Sequence, residues 1–198
     1  MFTMSTLANA TDSDRIYTLD EFMQLDFDQP VELVDGRIKL MGWNNLIHAS
    51  LVSWLSQVFR NWNDSEKWGF VFSGDAGIRT RSNPDTARGA DLICISHERY
   101  AQVETRGKVM DTGPELIVEV VSPSNSWIDI NEKLMEYFEV GTSEVWVISP
   151  ANGLVSVYSS IKEISSYQAN EDDSVASRVL PNFELSLKQM TDEIAKVS

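Results

Sequence analysis

The run Leu116-Ile117-Val118-Glu119-Val120-Val121 is apolar except for one acid in its middle. It is too short for a helix of ordinary length and ends at Ser122-Pro123-Ser124-Asn125-Ser126, which reads as a turn. Such a run is a strand buried on both faces, and it places the chain in a sheet covered by helices. A carboxylate inside it is costly unless it is paired or coordinates a metal. Glu119 is therefore either a buried acid satisfied by one salt bridge or a member of a functional site.

The flanking segments supply the rest of such a fold. Thr18-Leu19-Asp20-Glu21 is a capping-box pattern and predicts a short helix over 19–25. Asp35-Gly36, inside the stretch 31–40, predicts a tight hairpin. Ile47, Leu51, Leu55, Val58, Phe59 and Trp62 recur at helical spacing and predict a long helix over 43–62. A strand is expected over 69–80, a loop over 82–89 around Asn83-Pro84 and Gly89, and a buried strand over 90–96. The segment 100–112 is polar and gives no clear pattern. Helical spacing over 127–140 ends at Gly141, a good residue just past a helix end. Strands follow over 145–148 and 154–158, then two short strands and a C-terminal helix or tail after Leu185. The order predicts an α/β fold with one mixed central sheet flanked by helices. Residues 17–198 are expected to form a single domain behind a loose tail, 1–16.

Composition narrows the classes. The chain has 198 residues, 42% of them hydrophobic and 23% charged, so it can bury a core without staples. Its one cysteine, Cys94, lies in the apolar run 92–95 and reads as core. No stretch approaches the roughly 18 apolar residues of a membrane span, and residues 1–14 lack the features of a signal peptide. A cytoplasmic protein with no membrane association is expected. The net charge of −14 opposes nucleic-acid binding, because phosphate backbones attract basic surfaces. Local charge runs the other way: six basic residues (Arg79, Arg81, Arg88, Arg99, Arg106, Lys108) face four acids between positions 79 and 108.

Asp91 opens a second buried run, Asp91-Leu92-Ile93-Cys94-Ile95. Alone, it could be an acid at a strand mouth facing water. If its strand lies beside that of Glu119, the two carboxylates repel and call for a cation between them. Mg²⁺ suits such a pair, since it takes one or two carboxylates plus water and phosphate oxygens. On the following helix Asp129, Lys133 and Tyr137 are spaced by four and share one face. Lys133 either turns to the carboxylates, where it would orient an attacking water, or forms an i,i+4 pair with Asp129. Asp129 itself fits a helix cap with Ser126. His48 suits a cleft acid or base, a helix-capping role or a substrate contact equally well. His97 follows a strand and reads as a surface residue. The six tryptophans read mostly as core or interface, and Trp146, within a strand, as core.

These pieces together resemble the PD-(D/E)XK nuclease superfamily, and more narrowly a bacterial branch described as restriction endonucleases of largely unknown role. The matching segments are Val31-Glu32-Leu33-Val34-Asp35-Gly36, His48, Ala90-Asp91-Leu92, Val118-Glu119-Val120-Val121-Ser122-Pro123-Ser124, Asp129 with Lys133 and Tyr137, Gly141, Glu144-Val145-Trp146 and Leu180-Pro181-Asn182-Phe183. They span roughly residues 17–190, and their order is more specific than any one of them. The chain departs from the superfamily pattern twice. Ala90-Asp91 stands where Pro-Asp is usual, while the literal Pro84-Asp85 lies in the expected loop and reads as a decoy. The lysine two residues after the glutamate is replaced by Val121, and Lys133 is where proteins similar to this one supply it from the helix.

The resemblance implies a restriction-endonuclease-like fold and a Mg²⁺- or Mn²⁺-dependent endonuclease acting on DNA rather than RNA. Asp91, Glu119 and the Val120 carbonyl would hold the metal, and Lys133 would position the water. It also makes Glu32 a fourth member of the site. The hairpin offers another role for Glu32, a cross-strand pair with Lys39. Arg79, Arg81 and Arg88, with His48, are candidate substrate contacts. Cleavage of both strands suggests a C₂ homodimer. The competing reading, favoured by the charge, is a catalytically inert homodimeric interaction or regulatory module on the same fold.

Overall fold

The computed structural model describes residues 15–104, 109–122 and 126–197. Most of the expected tail, the middle of the turn after Val121, and Arg106 and Lys108 lie outside the described residues.

Thr18 caps α1 (Leu19–Phe22) with both halves of the capping box formed. The helix is one turn shorter than expected, because Met23 already closes it. β1 (Val31–Val34) and β2 (Arg37–Leu40) pair across Asp35 and Gly36, both of which have positive φ, 49° and 71°. That backbone is what a two-residue turn between twisted strands demands. α2 (Leu46–Glu66) begins three residues later than its apolar spacing suggests. Asn45 is the cap, its side chain accepting from the His48 N–H at 2.9 Å.

β3 (Gly69–Arg81) and β4 (Thr86–Ser96) form a long antiparallel hairpin. The expected loop over 82–89 is therefore corrected to 82–85. Residues 86–89 pair with β3 through Arg81↔Thr86, Arg79↔Ala87, Ile78↔Arg88 and Gly77↔Gly89. Their polar and glycine content reads as loop, yet it serves buried polar contacts described below. α3 (His97–Tyr100) is a single turn capped by Ser96. His97 is exposed, as expected, with its ring edge-on to Phe70. Met110 then returns to pair with Ile78.

β5 (Leu116–Val120), α4 (Trp127–Glu139) and β6 (Glu144–Ser149) form a parallel crossover, and Gly141 carries the positive φ that ends the helix region. β7 (Leu154–Ser160) and β8 (Glu163–Gln168) extend the sheet as a meander. β9 (Ser174–Ala176) and β10 (Glu184–Ser186) form a separate ribbon leading into α5 (Leu187–Ala195). The C-terminal forty residues thus hold three strands rather than two. The described strands of the main sheet run β2-β1-β4-β5-β6-β7-β8, with β3 also on β4.

Side-chain parity divides the core. Leu92, Cys94, Leu116, Val118, Val120, Trp146 and Ile148 face α2 and α5, with Leu51, Leu55, Phe59 and Met190 packed on them. Ile93, Ile95, Ile117, Val145 and Val147 face the other way, onto Ile130, Leu134 and Tyr137 of α4. Cys94 and Trp146 are fully buried. Because alternate residues share a face, Asp91 and Glu119 continue the α4 side of the sheet. This mixed sheet with helices on both faces is the fold that the sequence led us to expect.

Candidate active site

β4 and β5 pair through Cys94↔Leu116, Ile93↔Ile117 and Leu92↔Val118. Asp91 and Glu119 each lie one residue beyond that pairing, at the open end of the two strands. Asp91 is 7% exposed. Its Oδ2 accepts from the Val120 N–H at 2.7 Å, and His48 Nε2 lies 3.2 Å away. His48 thus reaches the site from α2 as a hydrogen-bond partner of Asp91.

α4 supplies the cation. Lys133 Nζ lies 3.3 Å from a Glu119 carboxylate oxygen and 3.1 Å from Glu32 Oε1, and it donates to the Gly89 carbonyl at 2.9 Å. A lysine from the helix thus stands beside Glu119, whose own strand carries Val121 two residues on. One turn later the Tyr137 hydroxyl donates to Glu119 Oε1 at 2.6 Å. Asp129 does not pair with Lys133. It accepts the Ser126 hydroxyl at 2.7 Å and forms an ion pair with Lys39. Glu32 stands in register with Lys39, yet its carboxylate turns to Lys133, Arg88 and the Gly89 N–H instead. Of the two directions open to each side chain, Lys133 takes the one toward Glu119 and Glu32 the one toward Lys133.

The charges are strongly coupled. Burial, reinforced by Asp91 and Glu32, pushes Glu119 up to about 7 despite Lys133 and the Tyr137 hydroxyl. Burial opposes the charge on Lys133, but Glu119, Glu32 and Asp91 outweigh it and hold the ammonium above its ordinary range. Burial likewise opposes ionisation of Glu32, and Lys133 and Arg88 reverse that, leaving it lowered. His48 is raised, since its bond to Asp91 overcomes burial.

The arginines are spent elsewhere. Arg88 is 1% exposed and grips Glu136 with two bonds of 2.7 Å, while a third reaches Glu32 at 3.1 Å. A guanidinium so enclosed cannot touch substrate, and its expected contact role is corrected to one of fixing Glu32. Arg79 pairs with Asp85 at 2.5 Å and Arg81 with Asp35, and neither is among the residues that line the cleft. Asp85 also accepts the Leu19 N–H at 2.7 Å. It is followed directly by a strand, contrary to expectation, but it anchors α1 rather than the site.

One acid escaped the sequence reading. Asp75 lies in the same cleft, at a register shift in β3 between Ser73 and Ala76, with φ of 55° after Gly74 at 86°. The bulge lays it over Gly89, where an added Cβ would come 3.2 Å from Asp75 Cβ. The same Gly89 presents its carbonyl to Lys133. Its pKa is raised by desolvation at the cleft wall and by Asp91. The pair Gly74-Asp75 inside a strand pattern was the available signal.

Glu32, Asp75, Asp91 and Glu119 outnumber Lys133 and Arg88, so the cleft holds an excess of negative charge. Among the described residues no three His, Cys, Asp or Glu side chains are arranged to enclose a metal by themselves. This donor set fits an ion that takes one or two carboxylates and fills its remaining positions with water and substrate oxygens, as Mg²⁺ and Mn²⁺ do.

A crystal structure described as a putative nuclease belonging to DUF820, from Anabaena variabilis, has the same fold, with a TM-score of 0.75 at 19% identity over 89% of this chain and 98% of that one. Comparison with curated proteins finds no match. The profile of the Uma2 family, described as "Putative restriction endonuclease", matches residues 19–188, and the chain belongs to that family.

Proposed function

We propose that this protein is a metal-dependent endonuclease that hydrolyses phosphodiester bonds in DNA. The observation that carries the reading is Lys133, held between Glu119 and Glu32 on the sheet face that Asp91 shares. The restriction-endonuclease family supports the reaction class and the substrate. Asp91, Glu119 and the Val120 carbonyl would hold Mg²⁺ or Mn²⁺. When bound, the ion polarises a phosphoryl oxygen and makes a bound water more acidic.

The chain's own groups do the positioning. Lys133 stays an ammonium, so it serves as a donor that orients the attacking water and stabilises charge on the phosphate, not as a base. Glu32 and the Gly89 carbonyl aim it. Tyr137 fixes the Glu119 carboxylate and His48 with the Val120 N–H fixes Asp91. The water oxygen bonds to phosphorus, the P–O ester bond opposite it breaks, one water proton leaves to solvent, and the departing alkoxide takes up a proton from solvent.

The test is cleavage of supercoiled, linear and single-stranded DNA and structured RNA, with Mg²⁺, Mn²⁺ or EDTA, at low salt. Wild type should cut DNA slowly and only with metal, and Asp91→Asn should not cut. The net charge of −14 and the paired arginines favour one alternative, an inert homodimeric interaction module. Absence of any cleavage above the Asp91→Asn level would make that reading the better one.

A further inference from the structure

The sequence leads one to expect the tryptophans mostly in the core or an interface, and Trp43 is 76% exposed. It sits in the connection between β2 and α2 and lines the same cleft as Asp91, Glu119 and Lys133. Phe22 of α1, Met23 just after it, Leu40 and Met41 line the cleft with it. The cleft therefore has apolar as well as acidic lining, and Met23, Leu40 and Trp43 of the apolar part are exposed.

Three features restrict what enters. The reacting groups lie deep: the side chains of Asp91, Lys133 and Glu119 are 9%, 11% and 15% exposed. The cavity measures about 870 Å³, in the range that takes small ligands. Among the described residues, the lysines and arginine lining it are already paired: Lys39 with Asp129, Arg88 with Glu136 and Glu32, Lys133 with Glu119 and Glu32. Apart from the one phosphate at Lys133, the successive phosphates of a duplex, whose contacts dominate its binding, find no unpaired side-chain cation among the described residues there. Stacking of bases on aromatic rings needs no such partner.

We infer that the cleft takes an unpaired DNA strand, with a base stacked on Trp43 while the neighbouring phosphate descends to the carboxylates. The inference rests on the nuclease reading and names its substrate class. A duplex must fray or present a gap before it is cut, and a single protomer suffices for one strand.

The experiment uses the full chain with Ca²⁺ in place of Mg²⁺, so that binding is read without hydrolysis. Fluorescence anisotropy follows a labelled single-stranded 12-mer and its duplex, and a 2-aminopurine version reports stacking. Wild type should prefer the single strand, and Trp43→Ala should weaken it roughly 5- to 150-fold, the range of one stacked base. Trp43→Phe should bind nearly as well as wild type. Trp127→Ala removes another exposed ring, 62% exposed and outside the cleft, and should change nothing. Equal binding of duplex and single strand, or a Trp43→Ala variant that binds like wild type, overturns the inference. So does light scattering in which Trp43→Ala splits a wild-type dimer, since the apolar wall is then covered by a second copy. Binding through Trp43 without any cleavage in Mg²⁺ would sustain the stacking wall and overturn the nuclease reading. Duplex cleavage by Trp43→Ala at the wild-type rate would do the reverse.

Discussion

Lys133 and Glu119 lie fourteen positions apart on a helix and a strand, and their charged groups meet at 3.3 Å inside the cleft. The lysine is carried by α4 because that helix returns over the sheet face on which Asp91 and Glu119 stand. The arrangement separates the donor from the strand that bears the acid, so that Val121 is free to be apolar.

Replacing Lys133 by Met should abolish hydrolysis and also destabilise the fold. Removing one partner of a buried ion pair costs about 3–5 kcal/mol, because the remaining charge is left without compensation. Glu32 and Glu119 would both lose their nearest cation. Adding Glu119→Gln to Lys133→Met should restore much of that stability and none of the activity. Urea melts of the single and double variants read this directly. A double variant no more stable than Lys133→Met would show that the lysine does not compensate Glu119.

Tyr137→Phe isolates the hydroxyl that donates to Glu119 at 2.6 Å. The ring stays in the core, so only a hydrogen bond to a charged acceptor is lost, about 1.5–3 kcal/mol. Partners that orient metal-binding groups typically change affinity or activity about 10–100-fold. We expect a fall of that size in cleavage rate at saturating DNA, with Mn²⁺ affinity falling in parallel. A variant with unchanged rate and Mn²⁺ affinity would reduce Tyr137 to packing.

The sequence disclosed the acids because a charge within an apolar run has few explanations, as Glu119 and Asp91 illustrate. Lys133 was legible through its place on a helical face, although its direction was not. Arg88 misled, because a guanidinium in a local basic stretch looks like a phosphate contact until Glu136, forty-eight positions away, is seen to hold it. Asp75 was hidden by its bulge, since pairing shifts depend on the partner strand and leave little trace in periodicity. The strand over 86–89 was missed because its polar residues are satisfied by distant groups rather than by water.

Asp85 provides a test of stability away from the chemistry. Its pKa is lowered: burial opposes this, but the Leu19 N–H and Arg79 prevail. A lowered acid contributes stability above its ordinary 3.8, and that contribution is lost as pH falls through the folded value. Asp85→Ala should cost about 2 kcal/mol at neutral pH. The gap to wild type should close as urea melts are taken from pH 6 toward pH 3.5 and below. A gap independent of pH would mean that the carboxylate's charge does not hold α1.

The strongest discrimination comes from stability with and without metal. Asp91 and Glu119 repel each other, and Glu119 is raised to about 7 in consequence of burial and that repulsion. Without metal, Glu119→Gln should therefore be at least as stable as wild type near neutral pH, since it removes a charge that the site disfavours. Mn²⁺ at a hundred times its dissociation constant should raise wild-type stability by about 2.7 kcal/mol and leave Glu119→Gln and Asp91→Asn nearly unmoved. Asn is the better substitute at position 91. Alanine would leave the buried Val120 N–H unpaired, at about 1–3 kcal/mol, and confuse loss of metal with loss of fold. Equal stabilisation of wild type and both variants by Mn²⁺ would place the ion elsewhere. No stabilisation of wild type would remove the metal from the reading, even if the carboxylates repel as described.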